Sequence, residues 1–261
     1  MKIIKIAATN GLGNTKGTEF APDKVVEKLK QEIYLNEAGL KPEFKIESIP
    51  VEKSNIEQTN ENIYNFLIQN DDIPIIIGGD HSITYACFKA FSKRFQNPGL
   101  IVFDAHPDLV NDFNPPTHED FLRVLIREGY LKKENVILVG TRNWHSNEED
   151  FLKKNKLKNF TMAEIARESL HDVCDSVMSV ARLWQACYIS IDIDVVDPAF
   201  APGTHFIEPG GLTSRELLYL LSRLKNLKNL KAFDLVEINP QKDINSLTVK
   251  LGAKIVAELF L

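Results

Sequence analysis

The chain has 261 residues, of which 44% are hydrophobic and 26% are charged, and its formal net charge is -5. This composition is typical of a globular protein that buries a large core, and it excludes an intrinsically disordered chain. The acidic balance excludes a general affinity for nucleic acid, which requires lysine and arginine clustered on one face.

The cysteines and the apolar runs indicate where in the cell the protein is expected to reside. Cys87, Cys174 and Cys187 are widely spaced, so neither a disulfide framework nor a zinc knuckle is expected. The N-terminus lacks the long apolar core of a signal peptide, and no apolar run approaches the roughly 18 residues of a membrane span. We therefore expect a cytoplasmic protein without a membrane partner.

Short apolar runs alternate with helical patterns along the chain, which is typical of repeated βαβ units. Most of these runs are continuous rather than alternating, which favours strands buried on both faces of a parallel sheet. The absence of a long linker predicts a single domain over residues 1–261. The predicted strands are Ile3–Ala8, Phe44–Ile49, Ile73–Ile77, Leu100–Asp104, Val136–Gly140, Ala186–Asp192 and Leu230–Leu235.

Amphipathic patterns between these strands predict helices that cover the sheet. One helix start is marked by Thr213 and Glu216, which form a capping box. The predicted helices are Pro22–Ala38, Asn60–Gln69, Ile83–Phe95, His118–Glu128, Ala163–Ser169, Asp172–Leu183, Ser214–Leu224 and Leu247–Phe260.

Paired glycines precede a histidine at the end of the third predicted strand, in segment 77–82 (Ile-Gly-Gly-Asp-His-Ser). Glycines let the backbone turn sharply and present His81 at the carboxyl end of the strand. Open α/β sheets place their sites at this edge. Taken alone, a histidine after such a turn is more typical of a hydrogen-bonded loop residue than of a metal ligand.

The fourth predicted strand ends in a polar segment, 103–108 (Phe-Asp-Ala-His-Pro-Asp). Asp104, His106 and Asp108 recur at every second residue, a spacing that points all three side chains the same way in extended chain. Pro107 cannot donate to a sheet ladder, so the chain leaves the sheet there. The alternative to a ligand loop is a polar turn with unrelated acidic residues.

Two aspartates follow the sixth predicted strand, in segment 190–198 (Ser-Ile-Asp-Ile-Asp-Val-Val-Asp-Pro). Asp192 and Asp194 share one face of the extended chain. Two carboxylates at the end of a buried strand repel each other and are costly to desolvate unless a cation compensates them. This segment therefore predicts a bound metal.

Together the segments offer enough carboxylates and imidazoles for two divalent ions, if two carboxylates bridge them. Oxygen-rich ligation with few histidines favours Mn²⁺ over Zn²⁺, while Fe, Co and Ni remain compatible. Two ions about 3.5–4 Å apart lower the pKa of a shared water and hold it as a nucleophile. With a bridging hydroxide the cluster is slightly negative, which favours a cationic substrate. The candidate metal ligands are His81, Asp104, His106, Asp108, Asp192 and Asp194.

These motifs, in this order, resemble those of the ureohydrolase family, which contains arginases, agmatinases and formimidoylglutamases. The resemblance extends from segment 17–22 (Gly-Thr-Glu-Phe-Ala-Pro) to the C-terminal helix. It implies a three-layer α/β/α fold with a mostly parallel central sheet, and two Mn²⁺ ions per subunit. It also implies that His81 and Asp108 bind one ion, that His106 and Asp194 bind the other, and that Asp104 and Asp192 bridge them.

The same resemblance assigns two catalytic residues. Glu237, in segment 234–240 (Asp-Leu-Val-Glu-Ile-Asn-Pro), matches the glutamate that receives the cationic end of the substrate. His118 matches a histidine that passes a proton to the leaving amine, a role that suits a pKa near neutrality. Glu119 follows His118 where the family commonly has a small residue, and Thr117 offers a helix N-cap. A surface histidine on a capped helix is therefore the alternative.

The segment 201–211 departs from the family pattern. His205 and Phe206 stand where the family usually has Gly-Thr, and their larger side chains would narrow or reshape the mouth of the pocket. His205 either contacts the substrate or packs the loop. His145 and His171 have no partner motif and are expected on the surface.

The implied reaction is attack of a metal-bridging hydroxide on a guanidinium or formimino carbon, with release of urea from a guanidino substrate. Residues 109–117 show no clear counterpart of the polar loop with which arginases hold the α-amino and α-carboxylate groups. Agmatine is therefore preferred, and arginine, formimidoylglutamate or another small guanidino or amidino compound is the alternative. The resemblance also implies a homo-oligomer, either a trimer or a hexamer.

Two other classes of protein are compatible with a two-metal cluster. A phosphoesterase would need arginine or lysine near the metals to clamp phosphate, and apart from Arg142 the motif segments offer little. A non-catalytic metal-binding protein is favoured only by the unusual surroundings of His118. Metal content and urea release together distinguish these hypotheses.

Overall fold

The structure is a computed structural model that describes residues 2–69 and 74–259. A parallel sheet lies at its centre, and the carboxyl ends of all its strands meet at one edge. The strands are β1 Lys2–Ile6, β2 Lys45–Ser48, β3 Pro74–Gly78, β4 Pro98–Phe103, β5 Val136–Val139, β6 Lys158–Phe160, β7 Ala186–Asp192 and β8 Leu230–Val236.

Helices cover both faces of this sheet. Within the described ranges, none of them has the length and apolar character that crossing a membrane requires. The helices are α1 Ala21–Glu32, α2 Ile56–Ile68, α3 Ile83–Arg94, α4 Phe121–Arg127, α5 Ser146–Asn155, α6 Met162–Glu168, α7 Leu170–Ala181, α8 Ser214–Leu224 and α9 Leu247–Glu258.

The layering follows from the alternation of side chains along the strands. In β3, Ile75 and Ile77 point into a core that also contains residues of α1, α7, α8 and α9. Ile76 points the other way, into a core that contains residues of α2, α3 and α4. Because both faces are covered, the central strands β3, β4 and β7 are buried on both sides. The predicted three-layer α/β/α fold is confirmed, with a sheet whose strand pairs are all parallel.

The strand order places four strand ends side by side. The order is β2-β1-β3-β8-β7-β4-β5-β6, so β8 and β7 lie between β3 and β4, which follow one another in the chain. The loops after β3, β8, β7 and β4 are therefore neighbours at the carboxyl edge of the sheet. A strand order that reverses in this way creates the crevice in which open α/β sheets bind ligands.

Three predicted helix ends are wrong by three residues or more, and each has a local cause. Helix α2 begins at Ile56 and not at Asn60, because the side chain of Asn55 caps it by accepting the backbone N–H of Gln58. Helix α1 ends at Glu32 and not at Ala38, because the side chain of Asn36 accepts hydrogen bonds from the backbone of Ala38 and Leu40 and forms a turn. Helix α4 begins at Phe121 and not at His118. The predicted strand start at Ile73 and helix end at Phe260 lie outside the described residues.

Residues 113–120 form a separate loop before α4, held by the side chain of Asp120, which precedes the first residue of the helix. The carboxylate of Asp120 accepts hydrogen bonds from the backbone N–H groups of Phe113 and Thr117. These bonds fold residues 113–120 into a loop, whose residues His118 and Glu119 line a cavity. Thr117 also donates its hydroxyl to Asp120, so Thr117 is not the N-cap that the sequence suggested.

Candidate active site

The six predicted metal ligands come together at the carboxyl edge of the sheet. His81 follows β3, Asp104 follows β4, and Asp192 is the last residue of β7. His81, Asp104 and Asp192 form one group of closely spaced ligand atoms, and Asp104, His106 and Asp194 form a second. Asp104 belongs to both groups, which is the position expected of a carboxylate that bridges two ions.

The distances between side chains separate the cluster into the same two groups. Nδ1 of His81 lies 3.1 Å from Oδ2 of Asp104 and 3.0 Å from Oδ2 of Asp108. Nδ1 of His106 lies 3.0 Å from Oδ2 of Asp194 and 3.5 Å from Oδ1 of Asp104. The two oxygens of Asp104 thus point to two different histidines. Of these two histidines, Asp192 contacts His81, with Oδ2 at 3.3 Å from Nδ1.

Buried polar atoms without partners show that this cluster fits cations. Nδ1 of His81 and Oδ2 of Asp104 face each other at 3.1 Å, and both are buried without a hydrogen bond. A buried polar group that lacks a hydrogen bond is destabilising. A divalent ion among these nitrogen and oxygen atoms would satisfy both, and such a donor set suits Mn²⁺ and its neighbours in the first transition row.

The charges in the cluster are only partly compensated by the two histidines, whose contacts outweigh the effect of burial and lower the pKa of Asp104. Burial raises the pKa of Asp192, and the nearby charges of Asp194 and Asp104 raise it further. Burial and the charge of Asp104 likewise raise the pKa of Asp108. For His81, burial opposes protonation, but contacts with its three carboxylates outweigh burial and raise its pKa. A bound cation would relieve the repulsion among these acids.

The backbone near His81 is held by close contacts that only glycine permits. A Cβ atom on Gly79 would lie 2.1 Å from the carbonyl oxygen of Ala8. The carbonyl oxygen of Gly79 accepts a hydrogen bond from the backbone of Glu237 at 2.8 Å. The paired glycines therefore allow the loops after β1, β3 and β8 to meet.

Glu237 is buried beside the cluster and has one free oxygen. Its Oε1 accepts the backbone N–H of His81 at 2.8 Å, while its Oε2 has no hydrogen-bond partner. Its φ angle is 63°, a backbone conformation that is uncommon outside glycine and that tends to occur at functional sites. Burial, together with the charges of Asp192 and Asp80, raises its pKa. The free oxygen is a ready acceptor for a cationic group.

His118 faces the cluster and is almost fully buried, so the alternative of a surface histidine on a capped helix is wrong. Its Nδ1 lies 3.8 Å from Oε1 of Glu237. Burial lowers its pKa, which keeps the imidazole neutral near pH 7. Phe206 stacks on the imidazole, with ring centroids 5.4 Å apart and an interplanar angle of 24°.

A cavity of about 130 Å³ opens over the cluster. His145 lies on its wall, so the histidine that the sequence placed on the surface is exposed to this cavity. Exposed His171 lies elsewhere on the surface, as expected. The cavity lining consists of His106, Asp108, Val110, His118, Glu119, Asn143, Trp144, His145, Glu148, Asp192, Asp194, Phe206 and Glu237.

Two residues discussed from the sequence have packing roles. Nε2 of His205 lies 2.8 Å from the carbonyl oxygen of Lys16 and 2.6 Å from Nδ2 of Asn239, so His205 packs the loop. The guanidinium of Arg142 donates to four carbonyl oxygens, those of Gly140, Asp194, Val195 and Glu208. Because its donors are used in this way, Arg142 is not available to clamp a phosphate.

The sequence interpretation missed the part of the cavity wall that follows β5. Trp144 and Glu148 lie there, at the start of helix α5. The buried carboxylate of Glu148 accepts the backbone N–H groups of Leu109 and His145, which joins this wall to the metal loop. A signal was present, because the segment directly follows a predicted strand at the functional edge of the sheet.

Comparisons with known proteins agree over most of the chain. A profile described as the arginase family matches residues 1–261. The arginase of Staphylococcus aureus strain MRSA252 is 30% identical over 279 residues, which cover 94% of this chain and 91% of that protein. The formimidoylglutamase of Halalkalibacterium halodurans is 33% identical over 187 residues, 70% of this chain and 59% of that protein.

Solved structures show the same fold. Formimidoylglutamase from Bacillus subtilis superposes with a TM-score of 0.92 at 26% identity, covering 99% of this chain and 85% of that chain. Proclavaminate amidino hydrolase from Streptomyces clavuligerus superposes with a TM-score of 0.90 at 26% identity, covering 99% of this chain and 89% of that chain. Structures of proteins with different named substrates are therefore about equally similar to this one.

Proposed function

The chain belongs to the arginase family and is a hydrolase of guanidino or amidino carbon–nitrogen bonds, and from this premise we propose that it is a manganese-dependent agmatinase. The observation that carries the choice of agmatine is the charge of the cavity wall. Structures with different named substrates are about equally similar to this chain, whereas the wall is what a substrate contacts beyond its reacting carbon.

We assign the two ions to the six clustered side chains. His81 and Asp108 would hold one ion and His106 and Asp194 the other, and the distances between each histidine and its aspartate support this pairing. Asp104, which faces both histidines, and Asp192 would bridge. When bound, two such ions supply a water of lowered pKa that acts as a nucleophile at neutral pH.

Glu237 and His118 have separate tasks in this proposal. The free oxygen of Glu237 accepts hydrogen bonds from the guanidinium and holds its carbon over the cluster. A charge-assisted hydrogen bond of this kind is short and about twice as strong as a neutral one. The neutral imidazole of His118, 3.8 Å from Glu237, accepts a proton and passes it to the departing amine.

The cavity wall favours a substrate that is cationic at both ends. Glu119, Glu148 and Glu237 line the cavity in addition to the metal ligands, and the described lining contains neither lysine nor arginine. The carboxylates of arginine and formimidoylglutamate would find no lysine or arginine to pair with in this lining. Agmatine carries an amine in place of the amino acid group, so its far end matches a negative wall. Phe206 narrows the mouth above His118 and favours this slim, unbranched chain.

Formimidoylglutamate is the second candidate substrate, because formimidoylglutamases are among the relatives and the structural neighbours. A phosphoesterase is disfavoured by the bonding of Arg142. The other predictions stay as proposals: one domain over residues 1–261, a trimer or hexamer, and a cytoplasmic location.

A substrate panel tests the proposed substrate. We expect the Mn²⁺-loaded protein to release urea from agmatine with a kcat/KM at least about tenfold above that for arginine, since an unpaired charge in the pocket costs 1.4 kcal/mol or more. Urea, ammonia and formamide are measured separately for agmatine, arginine, formimidoylglutamate and other guanidino compounds. Formamide from formimidoylglutamate would select the second candidate, and no product from any compound would contradict the enzymatic proposal.

The variant His118→Ala tests the proton-transfer role. We expect kcat for urea release to fall by roughly 10²–10⁴-fold, the usual contribution of a positioned acid–base group, while the bound Mn²⁺ per chain is unchanged. Exposed His171 is the matched control, and His171→Ala should keep full activity. Full activity in His118→Ala would show that His118 only packs against Phe206.

A further inference from the structure

A buried hydrogen-bond chain lies behind His81, on the side away from the other metal ligands. Nε2 of His81 is 2.9 Å from Oγ of Ser190, and Oγ of Ser190 donates to Oδ1 of Asp234 at 2.5 Å. All three side chains are buried. Ser190 and Asp234 each begin a motif of the sequence, yet neither has a role among the ligands or the catalytic residues.

The direction of the hydrogen bonds follows from the surroundings of Asp234. Two further hydroxyl groups, those of Thr84 and Tyr188, donate to Oδ2 of Asp234, each at 2.8 Å. The hydroxyl of Ser190 donates to Oδ1 of Asp234, so its single hydrogen is used there. A lone pair of Ser190 is left to face His81, and Nε2 of His81 must therefore be the donor.

The direction of this hydrogen bond determines which nitrogen of His81 has a lone pair available to bind a metal. With the hydrogen on Nε2, the lone pair of a neutral imidazole is on Nδ1, which faces Asp104, Asp108 and Asp192. Phe121 packs against the imidazole with ring centroids 4.4 Å apart and restrains its plane. Packing alone cannot distinguish the two nitrogens, because a flip of the ring keeps the same plane.

We propose that Ser190 and Asp234 are positioning residues that hold His81 in the tautomer and orientation in which Nδ1 binds the metal. This proposal rests on the proposed metal centre and is independent of the substrate. Residues that hydrogen-bond to a metal ligand in this way typically contribute 10- to 100-fold to metal affinity.

The test is a Mn²⁺ titration of the full-length protein, in which free Mn²⁺ is followed by electron paramagnetic resonance. We expect Ser190→Ala to weaken Mn²⁺ binding at one of the two sites by roughly 10- to 100-fold. Asp234→Asn is the second variant. Its amide NH₂ can donate to Ser190 and turn the hydroxyl hydrogen toward His81, so we expect it to weaken the same site.

Tyr188→Phe is the matched control, because it removes a hydroxyl donor from the same carboxylate without touching His81. We expect this variant to lose some thermal stability and to keep its Mn²⁺ affinity. Unchanged affinity in both Ser190→Ala and Asp234→Asn, or an equal loss in Tyr188→Phe, would overturn the proposal. Because the readout is metal binding, a chain that fails to hydrolyse agmatine would leave this result interpretable.

Discussion

Asp192→Asn is expected to weaken Mn²⁺ binding and to remove most of the thermal stabilisation that Mn²⁺ confers, while the metal-free protein stays as stable as the unchanged one. The carboxylate of Asp192 accepts the backbone N–H of Asp194 through Oδ1 at 2.8 Å, and the amide oxygen of asparagine keeps this bond. The amide nitrogen then replaces Oδ2 beside His81. A ligand oxygen and one negative charge are lost.

The stability of the metal-free protein is expected to be unaffected because the acidic charges of the cluster are not fully compensated without metal. Burial and the neighbouring Asp194 and Asp104 raise the pKa of Asp192, so its charge is unfavourable without a cation. A neutral amide resembles the protonated carboxyl, so we expect the substitution to leave the stability of the metal-free protein unchanged. Metal at 100 times its Kd stabilises a folded protein by about 2.7 kcal/mol, which at this size corresponds to roughly 5–10 °C in Tm.

Thermal unfolding with Mn²⁺ and with EDTA measures this difference, and Asp197→Asn is its control. Asp197 lies in the same motif, but its carboxylate accepts backbone N–H groups of Ala199 and Gly210 and is not part of the cluster. We expect Asp197→Asn to lower Tm equally under both conditions. An unchanged metal-induced shift in Asp192→Asn would remove Asp192 from the proposed ligands.

The parts of the fold that sequence reasoning predicted are the parts buried on both faces. Strands β3, β4 and β7 are continuous apolar runs because helices cover both of their sides. Strand β6, Lys158–Phe160, has three residues at the edge of the sheet, and helix α5 is mostly polar. Neither buries enough apolar surface to leave a periodic pattern, and both were missed.

The candidate site was likewise predicted in part. The spacing of Asp104, His106 and Asp108 predicts a shared direction because side chains alternate along extended chain. The meeting of this segment with His81 depends on the strand order, which places β8 and β7 between β3 and β4. Local spacing carries no information about that order. Contacts between distant loops, such as the stacking of Phe206 on His118, were therefore beyond the sequence interpretation.

Glu237→Gln is expected to lower kcat/KM for agmatine by roughly 30- to 3,000-fold, which corresponds to the 2–5 kcal/mol lost when one member of a buried charge pair is neutralised. The reason lies in how the carboxylate is anchored. Oε1 accepts the backbone N–H of His81, so the oxygen of the glutamine amide takes that position. The amide nitrogen then occupies the place of the free oxygen and presents donors to the donors of the guanidinium.

The measurement is steady-state urea release, together with Mn²⁺ content and Tm. Glu27→Gln is the matched control, since its carboxylate pairs with Lys24 on the surface and its loss should leave kcat/KM unchanged. Because glutamine keeps the bond to His81, we expect Glu237→Gln to retain its metal, unlike Asp192→Asn. If both ions stayed bound and kcat/KM were unaffected, the guanidinium would be held elsewhere, and Glu237 would serve only to anchor the loop that carries His81.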